Sequence, residues 1–261
     1  MKVLVACEES QAVCKAFREK GHEAYSCDIQ ECSGGHPEWH IKGNVLKILN
    51  PSCFPILLTG TPTGIPVEDC VVKEWRGITF YTMDGKLHTI EGKWDLIIAH
   101  PPCTFMSKAG ARWMFPKAGE ISQERLKLAT EAKEFFFEIL NADCERIVVE
   151  NPVPLKIVGL PTPTQKVQPY EFGHPFSKCT CLWIKGLPKL KPTKIVSEYK
   201  PFLPSNTGGL ARGRGGSRGV ARNAKDASKT FEGIARAMAE QWGGEFVAVE
   251  RLEQMNIFDS L

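Results

Sequence analysis

The apolar run Leu96-Ile97-Ile98-Ala99 is followed, one residue later, by two consecutive prolines, Pro101 and Pro102. An apolar run without polar alternation reads as a strand covered on both faces, as in a parallel sheet. Neither proline can donate to a ladder, so the strand must end there and the chain stiffens. Cys103 comes next, at the carboxyl end of the strand. Ligands of open α/β sheets sit along that edge. A thiol in this position is either placed for chemistry or is a small buried hydrophobe, and position alone leaves both readings open.

The residues before this stretch supply the rest of a parallel unit. Lys2–Cys7 is β-branched and apolar and reads as a first strand. Ser10–Lys20 has helical spacing, with Val13, Ala16 and Phe17 on one face, Ser10 as the expected N-cap and Gly21 as the stop. Glu23–Cys27 is a second strand closing on Asp28. Asp28 stands about twenty positions beyond Glu8, the spacing at which nucleotide-binding α/β units put an acid on ribose hydroxyls. A turn or cap role for Asp28 is the plainer alternative.

Composition narrows the class. At 261 residues and 43% hydrophobic content the chain suits one domain with an insertion. No apolar run is long enough to span a bilayer, so no membrane association is expected. The segment Met1–Cys7 reads as a strand rather than a leader, and ten cysteines without a leader read as reduced, cytoplasmic thiols. A net charge of +3 is too small to indicate nucleic acid by itself.

Later segments add detail. Residues 55–93 read as an insertion, with Met83-Asp84-Gly85-Lys86 as a hairpin turn between short strands. A small antiparallel unit is expected there, a lid or part of a substrate surface. Ala109–Gly119 holds Arg112, Trp113 and Phe115, a Gly/Arg/aromatic loop fit to stack on or clamp a substrate, or simply packed. Ser122–Leu140 has helical spacing and should be the crossover to an apolar strand, Arg146–Pro152, that carries Glu150 and Asn151 near its end. Cys179, Cys181 and His174 invite a zinc reading, but a second ligand pair at the usual spacing is missing, so no metal is expected. Residues 208–222 place Arg212, Arg214, Arg218 and Arg222 among glycines, a cation strip suited to phosphates or a solvated loop. Ala227–Trp242 is an amphipathic helix.

Taken together, Pro101, Pro102, Cys103, Ser107 and Gly110 resemble the catalytic motif of DNA cytosine-5 methyltransferases, Gly-Pro-Pro-Cys-Gln-x-Phe-Ser-x-x-Gly. His100, Thr104 and Met106 depart from it. Glu150-Asn151-Pro152 resembles that family's Glu-Asn-Val, on the strand after the one bearing the cysteine. Gly43-Asn44-Val45 resembles its Gly-Asp-Ile. In the first turn Glu9, Gln11 and Ala12 stand where the family has glycines, and Tyr170 and Phe172 follow Gln168 where it has arginines.

The resemblance spans most of the chain. It implies a single domain over 1–252, a Rossmann-like doubly wound sheet of a class I S-adenosylmethionine-dependent methyltransferase. It implies S-adenosyl-L-methionine as cofactor, DNA as partner and transfer to cytosine carbon 5. Cys103 would then be the nucleophile and Glu150 its partner at ring nitrogen 3. Glu8, Glu9, Ser10, Asp28, Asn44, Pro101, Ser228 and Thr230 fall at cofactor-contacting positions: an acid of the first turn on the cofactor's ammonium, the first helix's N-terminus on its carboxylate, Asn44 on the adenine amino group. Ser107, Arg112, Asn151, Lys178 and the four arginines fall on the substrate side, with Lys178 as the replacement cation. In the tail, 253–261, Gln254, Ile257 and Phe258 resemble a peptide that binds bacterial sliding clamps. Two readings stand beside this one: methylation of a free nucleotide or another base, and a nucleic-acid-binding protein on a decayed methyltransferase fold. Amino methyltransferases carry Asp/Asn-Pro-Pro-Tyr/Phe at the same place, which His100 and Cys103 do not match.

Overall fold

The computed structural model describes residues 1–56, 73–203, 219–221 and 228–244. Its centre is a seven-stranded sheet. Five of its strands run parallel: β1 (Lys2–Ala6), β2 (Glu23–Asp28), β3 (His40–Lys42), β7 (Leu96–Ala99) and β8 (Ile147–Pro152). β11 (Thr180–Lys185) returns antiparallel beside β8, and β9 (Gln165–Val167) pairs antiparallel with β11. The order is β3-β2-β1-β7-β8-β11-β9. The chain leaves β1 in one direction for β2 and β3, and reaches β7 and β8 on the other side. The topological switch therefore lies between β1 and β7.

Alternation of side chains divides the sheet's apolar residues between two layers. Leu4, Ala6, Ile97, Ala99, Ile147 and Val149 face one core; Val3, Val5, Leu96, Ile98 and Val148 face the other. All eleven are fully buried, as the uninterrupted apolar strands require. Phe136 and Ile139 of α3 (Gln123–Leu140) cover the first face. Val13 and Phe17 of α1 (Ala12–Glu19), with Ile234, Met238 and Trp242 of α4 (Glu232–Trp242), cover the second. The result is an α/β domain with a mostly parallel central sheet, compatible with a Rossmann-like fold.

Two expectations need correction. The antiparallel unit begins earlier, at β4 (Ser52–Ile56), and continues through β5 (Lys73–Tyr81) and β6 (Leu87–Glu91). It is no detached lid over its described length. Ile78, Phe80 and Ile90 enter the first core, where Phe80 meets Tyr25 edge-on at 4.9 Å, and Trp94 donates to the Ile48 carbonyl at 2.7 Å. The hairpin turn is where expected, with Gly85 at φ +83°, a conformation that favours glycine.

The start of α1 also differs. Ser10 is not its cap. Gln11 holds the N-cap position at φ 57° without a side-chain cap bond, and Cys7 lies at φ 58°. These two left-handed residues curl the turn so that Glu8 reaches back to the helix. Its carboxylate accepts from the Val13 N–H at 2.6 Å and the Cys14 N–H at 3.1 Å. Crossover helix α3, by contrast, starts as expected, with Ser122 accepting from the Arg125 N–H. His174 has a structural use. Its Nε2 accepts from the Gly233 N–H at 2.9 Å, at the start of α4, and the fit is tight: a Cβ on Gly233 would lie 2.0 Å from the Phe172 carbonyl oxygen.

Candidate active site

The carboxyl ends of β1, β7 and β8 form one rim. Ala99 pairs with Val149, so the next residues along, His100 and Glu150, stand side by side. The His100 Nδ1 lies 3.0 Å from the Glu150 Oε2, and the two side chains are 11% and 13% exposed. The backbone of His100 extends the ladder by donating to Ala6 at 2.9 Å. Glu8, 4% exposed, follows β1 on the other flank of His100.

The segment after His100 is held rather than loose. Asn151, 1% exposed, donates through Nδ2 to the Pro101 carbonyl at 3.1 Å. The carbonyl of Cys103 accepts from the N–H groups of Met106 and Ser107. Met106 is fully buried with Met114, Ala129, Leu155 and Val158, and its carbonyl accepts from the Leu155 N–H at 2.7 Å. Arg125 of α3 donates to the Thr104 carbonyl at 3.0 Å and lies over the Phe105 ring. Gly110 fits because a Cβ there would come within 2.9 Å of that same carbonyl. These anchors leave the Cys103 thiol half-buried, with Ser107 hydrogen-bonded to it and Glu150 and Lys178 close enough to act on it electrostatically.

Lys178 arrives from the segment before β11. Its N–H donates to Gln168 Oε1 at 2.9 Å, so Gln168 fixes the segment that carries the cation. Its Nζ donates to the Lys229 carbonyl at 3.3 Å. That contact brings the Ser228–Thr230 segment to the same rim.

The electrostatics follow from burial against pairing. Burial works to discharge His100, but the hydrogen bond and charge of Glu150, helped by Glu8, prevail and its pKa is raised. Burial would raise Glu150, yet the same bond to His100 and the charge of Lys178 hold it below the usual carboxylate range. Both directions favour the proton on the imidazole and the negative charge on the carboxylate. Burial and the Glu150 charge push the Cys103 thiol up, opposed by Lys178 and Ser107. Burial pushes Lys178 down, opposed by Glu150 and Cys103. Burial likewise raises Glu8, against His100 and the two helix N–H groups.

The remaining expected positions spread along this edge. Asp28 ends β2 and uses Oδ1 on the Gln30 N–H. Asn44 is exposed and accepts from the Leu46 N–H at 3.0 Å. Glu9 and Ser10 follow Glu8, half-buried, and Pro101 is buried. Arg112 is exposed and lies over the ring of Trp113, itself 56% exposed, at 4.5 Å. Arg212, Arg214, Arg218 and Arg222, and the tail with Gln254, Ile257 and Phe258, lie outside the described residues. Among the described residues no group of three acids, histidines or cysteines is arranged to hold a metal, and no helix is long and apolar enough to cross a membrane. A groove of about 900 Å³ lined by Leu46, Leu126, Lys133, Phe137 and Val158 lies against α3 and contains none of the rim residues.

S-adenosylmethionine fits this edge in part. Asp28 has a carboxylate oxygen beyond its own turn for a ribose diol, and Glu9, half-buried after β1, suits an ammonium. The N-terminus of α1 does not suit the cofactor's carboxylate. Glu8 already uses the Val13 and Cys14 N–H groups there, and Gln11 fills the turn, bonded to the backbone of His36 in both directions and to Ser26.

Sequence reasoning had singled out Cys103, Glu150, Asn151, Ser107 and Lys178. It missed the partnership of His100, the clamp of Arg125 and the structural use of Gln168. The one signal for His100 was a histidine in place of the glycine before Pro-Pro-Cys. No protein-family model matches the chain, and no curated protein does.

Proposed function

We propose that this protein is an S-adenosylmethionine-dependent DNA cytosine-5 methyltransferase with Cys103 as nucleophile. The observation that carries the reading is the convergence of a half-buried thiol, a buried carboxylate and a lysine at the carboxyl ends of neighbouring parallel strands. Such a set has a definite chemical use. Carbon 5 of cytosine is a poor nucleophile. A thiolate adding at carbon 6 moves the ring electrons towards carbon 5 and nitrogen 3. A carboxyl group at nitrogen 3 meets the charge that develops there. Asp28 and Glu9 would hold the cofactor, which when bound would supply an electrophilic methyl group.

The chain's own residues account for the first half of this chemistry. Ser107 and Lys178 stabilise the thiolate against the burial that raises its pKa. Asn151 and Met106 fix the loop that aims it. Glu150 serves the ring. A target base must be extruded or single-stranded to reach a rim this closely packed. Arg112 and Trp113 offer an exposed cation and ring beside the Cys103 loop for such a substrate.

The test is incubation of DNA with cofactor, digestion and mass measurement of 5-methylcytosine, with a parallel arm on free cytosine nucleotides. The expected result is product on DNA by the wild type and none by Cys103→Ala. Product on free nucleotide alone would move the activity to small substrates. Full methylation by Cys103→Ala would remove the nucleophile role.

A further inference from the structure

His100 has no assigned part in this chemistry, yet it is the residue most intimately joined to Glu150. Its ring is hydrogen-bonded to Glu150 of β8 and lies within electrostatic reach of Glu8 in the turn after β1. Lys178 faces it from the segment before β11, and Cys103 lies on its own loop. Glu8 is committed to α1, whereas the Glu150 carboxylate, among the described residues, is hydrogen-bonded by His100 through one oxygen at 3.0 Å. The His100 Nε2 is buried and makes no hydrogen bond among the described residues. A buried ring nitrogen without a partner, on an imidazole locked to a candidate reacting carboxylate, is not explained by packing.

We infer that His100 is a positioning residue and proton reservoir for Glu150, supplying through Nδ1 the proton that Glu150 passes to the pyrimidine. The inference rests on the cytosine-5 reading. The step balances as follows. The thiolate of Cys103 forms the bond to carbon 6, the carbon 5–carbon 6 electron pair shifts to join carbon 4 and carbon 5, and the carbon 4–nitrogen 3 pair takes a proton at nitrogen 3. That proton leaves Nδ1 of His100, whose N–H bond breaks, and is carried across the Glu150 carboxylate, which ends as it began. The products are a neutral imidazole, a carboxylate accepting from the new nitrogen 3 N–H, and a ring whose carbon 5 is nucleophilic. Collapse of the adduct returns the proton by the same route.

This role makes a distinct pH prediction. Thiolate at Cys103 grows as pH rises, while the imidazolium is lost as pH rises through its raised pKa. Ring addition should therefore have an alkaline limb set by His100. The experiment is tritium release from DNA carrying tritium at cytosine carbon 5, measured against pH with the full-length protein. Release reports ring addition and needs no methyl product. The wild type should lose rate on the alkaline side. His100→Gln, which keeps a hydrogen-bond donor but holds no transferable proton, should be roughly a hundredfold slower at neutral pH and should lack that limb. Its cofactor affinity, measured calorimetrically, should stay within about twofold of wild type. A His100→Gln variant with unchanged rate and the same limb would overturn this role and leave the cytosine-5 reading intact. So would a wild-type profile with no alkaline limb, a measurement that needs no variant to fold. A wild type that neither releases tritium nor methylates the ring would overturn both.

Discussion

Asn151→Ala is the perturbation that best separates positioning from stability. Asn151 is 1% exposed, and its Nδ2 is the donor to the Pro101 carbonyl, two residues before the thiol. Removing that donor leaves a buried carbonyl unpaired, at about 1–3 kcal/mol. The loss is partly offset, because the Asn151 Oδ1 is itself buried without a hydrogen-bond partner among the described residues, and truncation removes that penalty too. The net should be about 1–2 kcal/mol, a fall in Tm of roughly 3–6 °C for a chain of this size. The effect on chemistry should be far larger. A displacement of about 1 Å in an attacking group costs on the order of a hundredfold in rate. Hydrogen–deuterium exchange of the peptide covering Met106 and Ser107, whose N–H groups bond the Cys103 carbonyl, should speed up in the variant. Thermal melting, exchange and methyl transfer on the same preparation give the comparison. Unchanged transfer and unchanged loop exchange would refute the view that Asn151 fixes the Pro-Pro-Cys segment. A fall in Tm several times larger would make Asn151 a core residue first.

Two further outcomes follow from the packing. The ion pair of His100 with Glu150 contributes stability that is full below the ordinary histidine value of 6.5 and is lost as pH rises through the raised value, and Glu150's share is lost as pH falls below the ordinary 4.5 through its lowered value. The gap in unfolding free energy between wild type and His100→Gln, from denaturant melts, should therefore peak between those limits, at roughly 3 kcal/mol, and narrow in alkali; a gap independent of pH would deny the pair its charge. Gly233→Ala puts a Cβ 2.0 Å from the Phe172 carbonyl, which is backbone and cannot swing aside, so α4 should shift at a cost of about 1–3 kcal/mol in denaturant melts, and an unaltered midpoint would refute that close contact.

The parts of this molecule that were legible in its sequence are those fixed by local rules. Leu96–Ala99 announced a doubly covered strand because each of its side chains meets a core. The apolar spacing over Ser122–Leu140 announced α3, because a helix that covers one core needs only its own periodicity to show its face. The start of α1 was not legible. Glu8 lies outside the helix, and its reach depends on Cys7 and Gln11 both taking left-handed conformations that neither residue type advertises. The same holds for the antiparallel unit, whose alternation gave its strands but not the Tyr25 and Trp94 surface that buries them. At the site, Cys103 and Glu150 could be brought to one edge by strand order alone. The His100–Glu150 bond could not, because it depends on the register of β7 against β8, a pairing between residues fifty positions apart. Lys178 was found only as a spare cation. What fixes it is the Gln168 amide oxygen, from the turn ten residues before, and the Lys229 carbonyl, from a segment far along the chain.

The central claim concerns one covalent bond, from sulfur to a pyrimidine carbon. An oligonucleotide bearing 5-fluorocytosine, incubated with the protein and S-adenosylmethionine, blocks the release of the adduct because the fluorine cannot leave as a cation. Intact mass followed by peptide mapping should then find the nucleotide joined to the peptide containing Cys103, and Glu150→Gln should sharply reduce its yield. Methylated cytosine accumulating with no such adduct, or an adduct mapped to another thiol such as Cys179, would contradict the account.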